Sequence, residues 1–234
     1  MPVPLVLAHR GCTDGFVENT IAAFQAARRL GADGVELDVR RTADWALAVH
    51  HDPDLADGRP LATVAARDLP AEVPLLADAL AACQGMVVNV EVKHDPSADP
   101  ERALAGIVAA ALADGSVAER VVLSSFDAPT LDVLRNAGLP VGWLLRSVED
   151  VAAALPEAVD RGYQAVHPFV TGVDQAVVDQ AHAAGLAVNV WTVNAPTDQA
   201  AMVAFGVDAI ITDRLVEAVA LVRGAAPNGE TPGW

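Results

Sequence analysis

Leu5-Val6-Leu7-Ala8-His9-Arg10-Gly11, near the start of the chain, points to a parallel barrel. An apolar run stops at an imidazole, a guanidinium and a glycine. A strand buried in a parallel sheet reads as continuous apolar residues, so polar groups at its C-terminal end need a reason. The pattern returns in Gly34-Val-Glu36-Leu-Asp38-Val and in Val87-Val-Asn89-Val-Glu91-Val-Lys93. Strands that end in chemistry at one common face are the signature of a barrel whose site lies on its C-terminal rim.

Working outward, strands alternate with helices along the 234 residues. The pattern predicts strands near 34–40, 47–50, 86–93, 121–125, 141–145, 165–168, 187–193 and 209–212. Helices are expected near 18–30, 75–83, 101–113, 129–136, 148–161, 175–184, 198–205 and 215–222. Gly115, Gly138, Gly162, Gly185 and Gly206 stand where helices should end. Roughly eight strand–helix units in a chain of this length fit a (β/α)8 TIM barrel. An open doubly wound sheet is the rival, but no glycine-rich dinucleotide fingerprint follows any strand. The expected organisation is a single domain over 1–223, with a short insertion after the second strand and a flexible Pro/Gly-rich tail at 224–234. Residues 54–74, irregular and rich in Asp, Pro and Gly, are expected to form a lid or a connector.

Composition bounds the partners. The chain is 53% hydrophobic and 20% charged, enough apolar matter for a sizeable core. Its 15 basic and 31 acidic residues give a net charge of −16. That balance argues against a nucleic-acid backbone and against stable docking on anionic membranes. Two cysteines, Cys12 and Cys83, make neither a disulfide framework nor a CxxC zinc pair. With no charged n-region and apolar h-region at the start, a cytoplasmic location is expected.

The strand ends carry the chemistry. Glu36 and Asp38 are two apart on one strand and point to one side; Glu91 and Lys93 do the same on another. Three crowded carboxylates repel unless a positive group lies among them. A hard, oxygen-seeking divalent cation, Mg²⁺ or Ca²⁺, would serve, and an ion-pair network with Lys93, Arg10 or Arg40 is the alternative. His9 and His51 lie at the same expected rim, where two imidazoles could act as acid and base. His50 competes with His51. His167 ends a strand, and a hydrogen-bonded structural role suits it as well as a place in the site. Arg10 and Lys93 would bring positive charge to an oxyanion, although Arg10 could instead pair with Glu18 or Asp38.

His9-Arg10-Gly11, Glu18-Asn19-Thr20, Glu36-Leu-Asp38, His51-Asp52, Asn89-Val-Glu91-Val-Lys93, Trp191-Thr-Val-Asn194 and Ile211-Thr-Asp213, in this order, resemble the glycerophosphodiester phosphodiesterase family. The resemblance implies metal-dependent hydrolysis of a small-molecule glycerophosphodiester to sn-glycerol 3-phosphate and an alcohol. It implies Glu36, Asp38 and Glu91 as ligands of one divalent cation, and His9 and His51 as the acid–base pair. Arg10 and Lys93 would contact phosphate, with Phe126 and Trp191 as walls near the glycerol. Standing directly before Asp52 favours His51 over His50. The sequence departs from the family pattern at Val17, where proline is usual, at Thr42-Ala-Asp44-Trp45 and at Ala56-Asp-Gly58-Arg59-Pro60. The larger inserted subdomain of some members is missing. Two other readings are a phospholipase-toxin-like barrel lyase releasing a cyclic phosphate, and a non-catalytic phosphodiester-binding barrel.

Overall fold

The computed structural model describes residues 3–94, 106–110 and 120–224. Its strands are β1 (Leu5–His9), β2 (Gly34–Arg41), β3 (Leu47–Val49), β4 (Val87–Val92), β5 (Val121–Ser125), β6 (Val141–Leu145), β7 (Ala165–Pro168), β8 (Ala187–Val190) and β9 (Ala209–Thr212). The sheet order is β1-β9-β8-β7-β6-β5-β4-β2-β3, and β1 also pairs with β2. Eight parallel strands therefore close on themselves as a (β/α)8 TIM barrel, and β3 hangs antiparallel on β2. The tail at 225–234 and most of the helix expected at 101–113 lie outside the described residues, although 106–110 are helical. No helix among the described residues is long and apolar enough to cross a membrane.

Local sequence accounts for the helices. Ile21–Arg29 follows its Glu-Asn-Thr triplet directly, with Thr20 as the cap accepting from the Ala23 amide. Ala23, Phe24, Ala26 and Ala27 then form one buried face at helical spacing. Asp127 and Asp174 cap Ala128–Asn136 and Gln175–Ala183 in the same way. Pro196–Phe205 starts two residues before its expected Asp198, since proline at the first helical position has no N–H to satisfy. Gly138, Gly162, Gly185 and Gly206 have positive φ at the helix ends, as expected.

β8 is shorter than its apolar run. It ends at Val190, not Val193; Trp191 instead bridges Phe169, its carbonyl accepting from the Val170 amide. Beyond the strand, Trp191 stands at the rim and Val193 is buried in the main core.

The main core lies between barrel and helices, and a second small cluster, Leu5, Leu7, Ala209 and Ile211, lies in the barrel interior on the side of β1 and β9. Residues 54–74 are not a loose loop. Leu55, Leu61 and Val64 pack on Ala48 as a separate small core, and Asp54 bridges Pro60. In a barrel of shear 8, inward side chains from alternate strands share a layer. The strand registers here put His9, Glu91, Leu144 and Trp191 in one layer. Glu36, Ser124, His167 and Ile211 form the layer beneath it, and Leu7, Asn89, Gly142 and Asn189 the next.

Candidate active site

The first turn after β1 is built for close approach. Arg10 and Gly11 both have positive φ, 57° and 82°. At Gly11 a β-carbon would press on Ala23 at 2.8 Å, so both the conformation and the space demand glycine. The turn aims the Arg10 amide at Glu36 Oε2, 3.1 Å away. Asn19, also at positive φ, is buried beneath it; its Nδ2 donates to Asp38 Oδ2 at 2.8 Å, and its Oδ1 accepts from the Asp38 amide.

Glu36, Asp38 and Glu91 meet as sequence spacing implied. All three are buried, and one oxygen from each lies within 4.8 Å of the others. Lys93 Nζ reaches Asp38 at 2.7 Å and Glu91 at 2.5 Å. Arg10 lies between Glu18, 2.9 Å away, and Asp38, 3.3 Å away. Both pairings anticipated for Arg10 are therefore made. The ion-pair network and the carboxylate cluster are one assembly here.

Charge balance in this cluster is incomplete. Burial, then the Asp38 charge, pushes the Glu36 carboxyl up to about 8. Burial also raises Glu91, against the pull of Lys93. Asp38 is held below the ordinary carboxylate range, because Lys93 and Arg10 outweigh the burial that would raise it. The positive charge of His9 and Lys93 does not offset the burial of Glu36. Three convergent carboxylates, two of them raised by burial, suit a hard divalent cation.

Two histidines border the cluster. His9 Nε2 lies 3.9 Å from Glu36 Oε2, and its Nδ1 lies 2.8 Å from Asp213 Oδ1. Burial alone would lower its pKa, but the Asp213 hydrogen bond and the Glu36 charge raise it above the ordinary value. Asp213 is itself held by Asn194, whose Nδ2 donates at 2.7 Å. His51 Nδ1 lies 2.8 Å from Asp52 Oδ1. Burial lowers its pKa, the Asp38 charge opposes this, and Lys93 and Arg10 reinforce it. His51 therefore senses the carboxylate cluster, whereas the His50 ring turns to the Asp54 carbonyl, 3.1 Å away. Across the rim, Trp191 packs edge-on against Phe126 and Phe169, with centroids 5.5 and 5.2 Å apart. Its indole N–H donates to the His167 carbonyl at 2.6 Å.

Sequence reasoning gave no site role to Phe169, and Asn19, Asn194 and Asp213 entered only within the family motifs. Asp213 follows the apolar run Ala209–Thr212, so the strand-end rule that found His9 would have found it too.

A profile of the "Glycerophosphoryl diester phosphodiesterase family" matches residues 9–72 and 59–217. The chain is 32% identical to a glycerophosphodiester phosphodiesterase of Caldanaerobacter subterraneus, over 94% of this chain and 98% of that protein. It is 30% identical to a probable glycerophosphodiester phosphodiesterase 2 of Mycobacterium tuberculosis, over 94% and 92% of the two chains. Among solved structures, a putative glycerophosphoryl diester phosphodiesterase from Silicibacter pomeroyi superposes with a TM-score of 0.86 at 27% identity, covering 95% and 94% of the chains. An Oleispira antarctica phosphodiesterase, solved with the product sn-glycerol-3-phosphate, shares the fold with a TM-score of 0.85 at 22% identity, over 94% and 97%.

Proposed function

This chain belongs to the glycerophosphoryl diester phosphodiesterase family, and from that premise we propose how its site works. The enzyme hydrolyses glycerophosphodiesters to sn-glycerol 3-phosphate and an alcohol. Glu36, Asp38 and Glu91 hold one divalent cation, Mg²⁺ or Ca²⁺. When bound, the cation supplies positive charge that polarises the phosphoryl group and lowers the pKa of a nearby hydroxyl.

The protein's own groups do the rest. Arg10 and Lys93 offer positive charge to the phosphate oxygens beside the carboxylates. His9, tied through Nδ1 to Asp213, keeps Nε2 for proton transfer; Asp52 does the same for His51. One imidazole takes the proton of the attacking glycerol hydroxyl as its oxygen bonds to phosphorus. The other protonates the departing alcohol oxygen as its bond to phosphorus breaks. Water then opens the cyclic phosphate with the two roles exchanged. Phe126 and Trp191 wall the glycerol side. The observation that supports this reading is a pair of carboxylate-tethered imidazoles, His9 lying 3.9 Å from Glu36 and His51 feeling the charge of Asp38, beside one buried acidic cluster.

The test is product analysis. Incubation with several glycerophosphodiesters and Mg²⁺ or Ca²⁺ should release sn-glycerol 3-phosphate, seen as an open monoester by phosphorus NMR. Chelation should abolish release and added cation restore it. A cyclic phosphate as the final product would mean a lyase, and indifference to chelator would remove the cation from the proposal.

A further inference from the structure

Below the carboxylates the barrel interior is polar in a way the reaction does not use. Asn89, Ser124, His167 and Asn189 are buried, with at most 3% of their surface exposed. They occupy the two layers at and just under Glu36, and Asn89 is the register partner of Glu36. Five of their atoms have no hydrogen-bond partner among the described residues: both side-chain polar atoms of Asn89, Ser124 Oγ, His167 Nδ1 and Asn189 Oδ1. The one bond within the group joins Asn189 Nδ2 to His167 Nε2, at 2.9 Å. Burial holds His167 neutral, with its pKa lowered to about 3. Gly142 makes room for it, since a β-carbon there would overlap the imidazole Nε2.

Buried polar atoms are rarely left alone, because each unpaired one is costly. The orphaned set mixes donors and acceptors. Asn89 supplies both, Ser124 can be either, and the His167–Asn189 pair leaves one donor and one acceptor whichever way its amide and tautomer are assigned. A cation would face N–H donors, and an anion would face carbonyl oxygens. Only a ligand that both donates and accepts fits. We propose that the barrel holds a buried water cluster bound by Asn89, Ser124, His167 and Asn189, directly beneath the catalytic carboxylates. A buried water makes about three hydrogen bonds, so five orphaned atoms call for about two waters. The layer below, Gly34, Val122, Ala165 and Ala209, offers no polar side chain. The cluster therefore opens only towards the active site, and it gives the underside of Glu36 a polar neighbour that is not another acid.

The test is a crystal structure of the wild-type chain at about 1.5 Å, with a thermal-melt comparison. Ordered waters should lie within hydrogen-bond distance of Asn89 and of the His167–Asn189 pair. A dry interior, or a cation in that place, overturns the proposal. Ser124→Ala, melted in chelator, gives a test by sign. A hydroxyl bonded to water should cost about 2–4 °C in Tm when removed, whereas deleting an unpaired hydroxyl from a dry core should raise Tm.

Discussion

The two halves of the barrel rim differ in kind. The first 93 residues supply His9, Arg10, Glu36, Asp38, His51, Glu91 and Lys93, all charged or titratable. The opposite side presents Phe126, Phe169 and Trp191, packed edge to face. The proposed mechanism assigns proton transfer and charge stabilisation to the first half. The second half can shape and desolvate what lies between, but it cannot do the chemistry. Charged groups stand in this second half as well: Arg146 lies over the Phe126 ring, and Asp213, directly after β9, bonds His9.

Loss of either imidazole should break the charged half most severely. His9→Ala and His51→Ala should each reduce kcat by at least about 10²-fold, the usual scale of general acid–base catalysis. His50→Ala should change kcat little, because its ring is turned to the Asp54 carbonyl. Steady-state assays of the three variants check this, and near-normal activity in His9→Ala or His51→Ala would dissolve the contrast. Asp213→Asn comes next, with an expected loss of about 10- to 100-fold in kcat, because the imidazole stays but its orientation and tautomer are freed. Trp191→Ala should have a smaller effect, raising KM by about tenfold or less and altering preference among alcohols more than kcat. A loss in Trp191→Ala as deep as that in His9→Ala would erase the distinction between the halves.

The smallest effect concerns stability beneath the rim. His167 is held neutral with its pKa near 3, while an unfolded histidine titrates near 6.5. Between those values the unfolded chain binds the extra proton, so this contribution is complete above about pH 6.5 and fades as pH falls towards 3. The slope is at most about 1.4 kcal/mol per pH unit. Urea unfolding at pH 7.5 and pH 5 should show wild type losing more stability than His167→Gln. Equal losses would mean that His167 is not held neutral by burial.

Much of this was legible because most polar residues that interrupt the apolar strands gather at the rim, with Asn89, Ser124, His167 and Asn189 lying beneath it. His9, Glu36, Asp38 and Glu91 stand out against Leu, Val and Ala, and the alternation of elements gives the barrel. The turn geometry was not legible. Arg10 and Asn19 adopt positive φ without being glycine, and tertiary hydrogen bonds to Glu36 and Asp38 hold them there. Nor could the strand-end rule separate His50 from His51, since a three-residue strand fixes no face; Asp52 and Asp54 do so in space. The sequence does not tell a structural His167 from one that lines the site, because a buried polar layer and a rim site look alike in one strand.

The carboxylate cluster is the keystone, and a crystal soaked in Mn²⁺ tests it most directly. Anomalous scattering should give a single peak bonded to oxygens of Glu36, Asp38 and Glu91 at about 2.2 Å, and the peak should vanish in Glu91→Gln. No peak between those three side chains, or one unmoved by that substitution, would contradict the site described here.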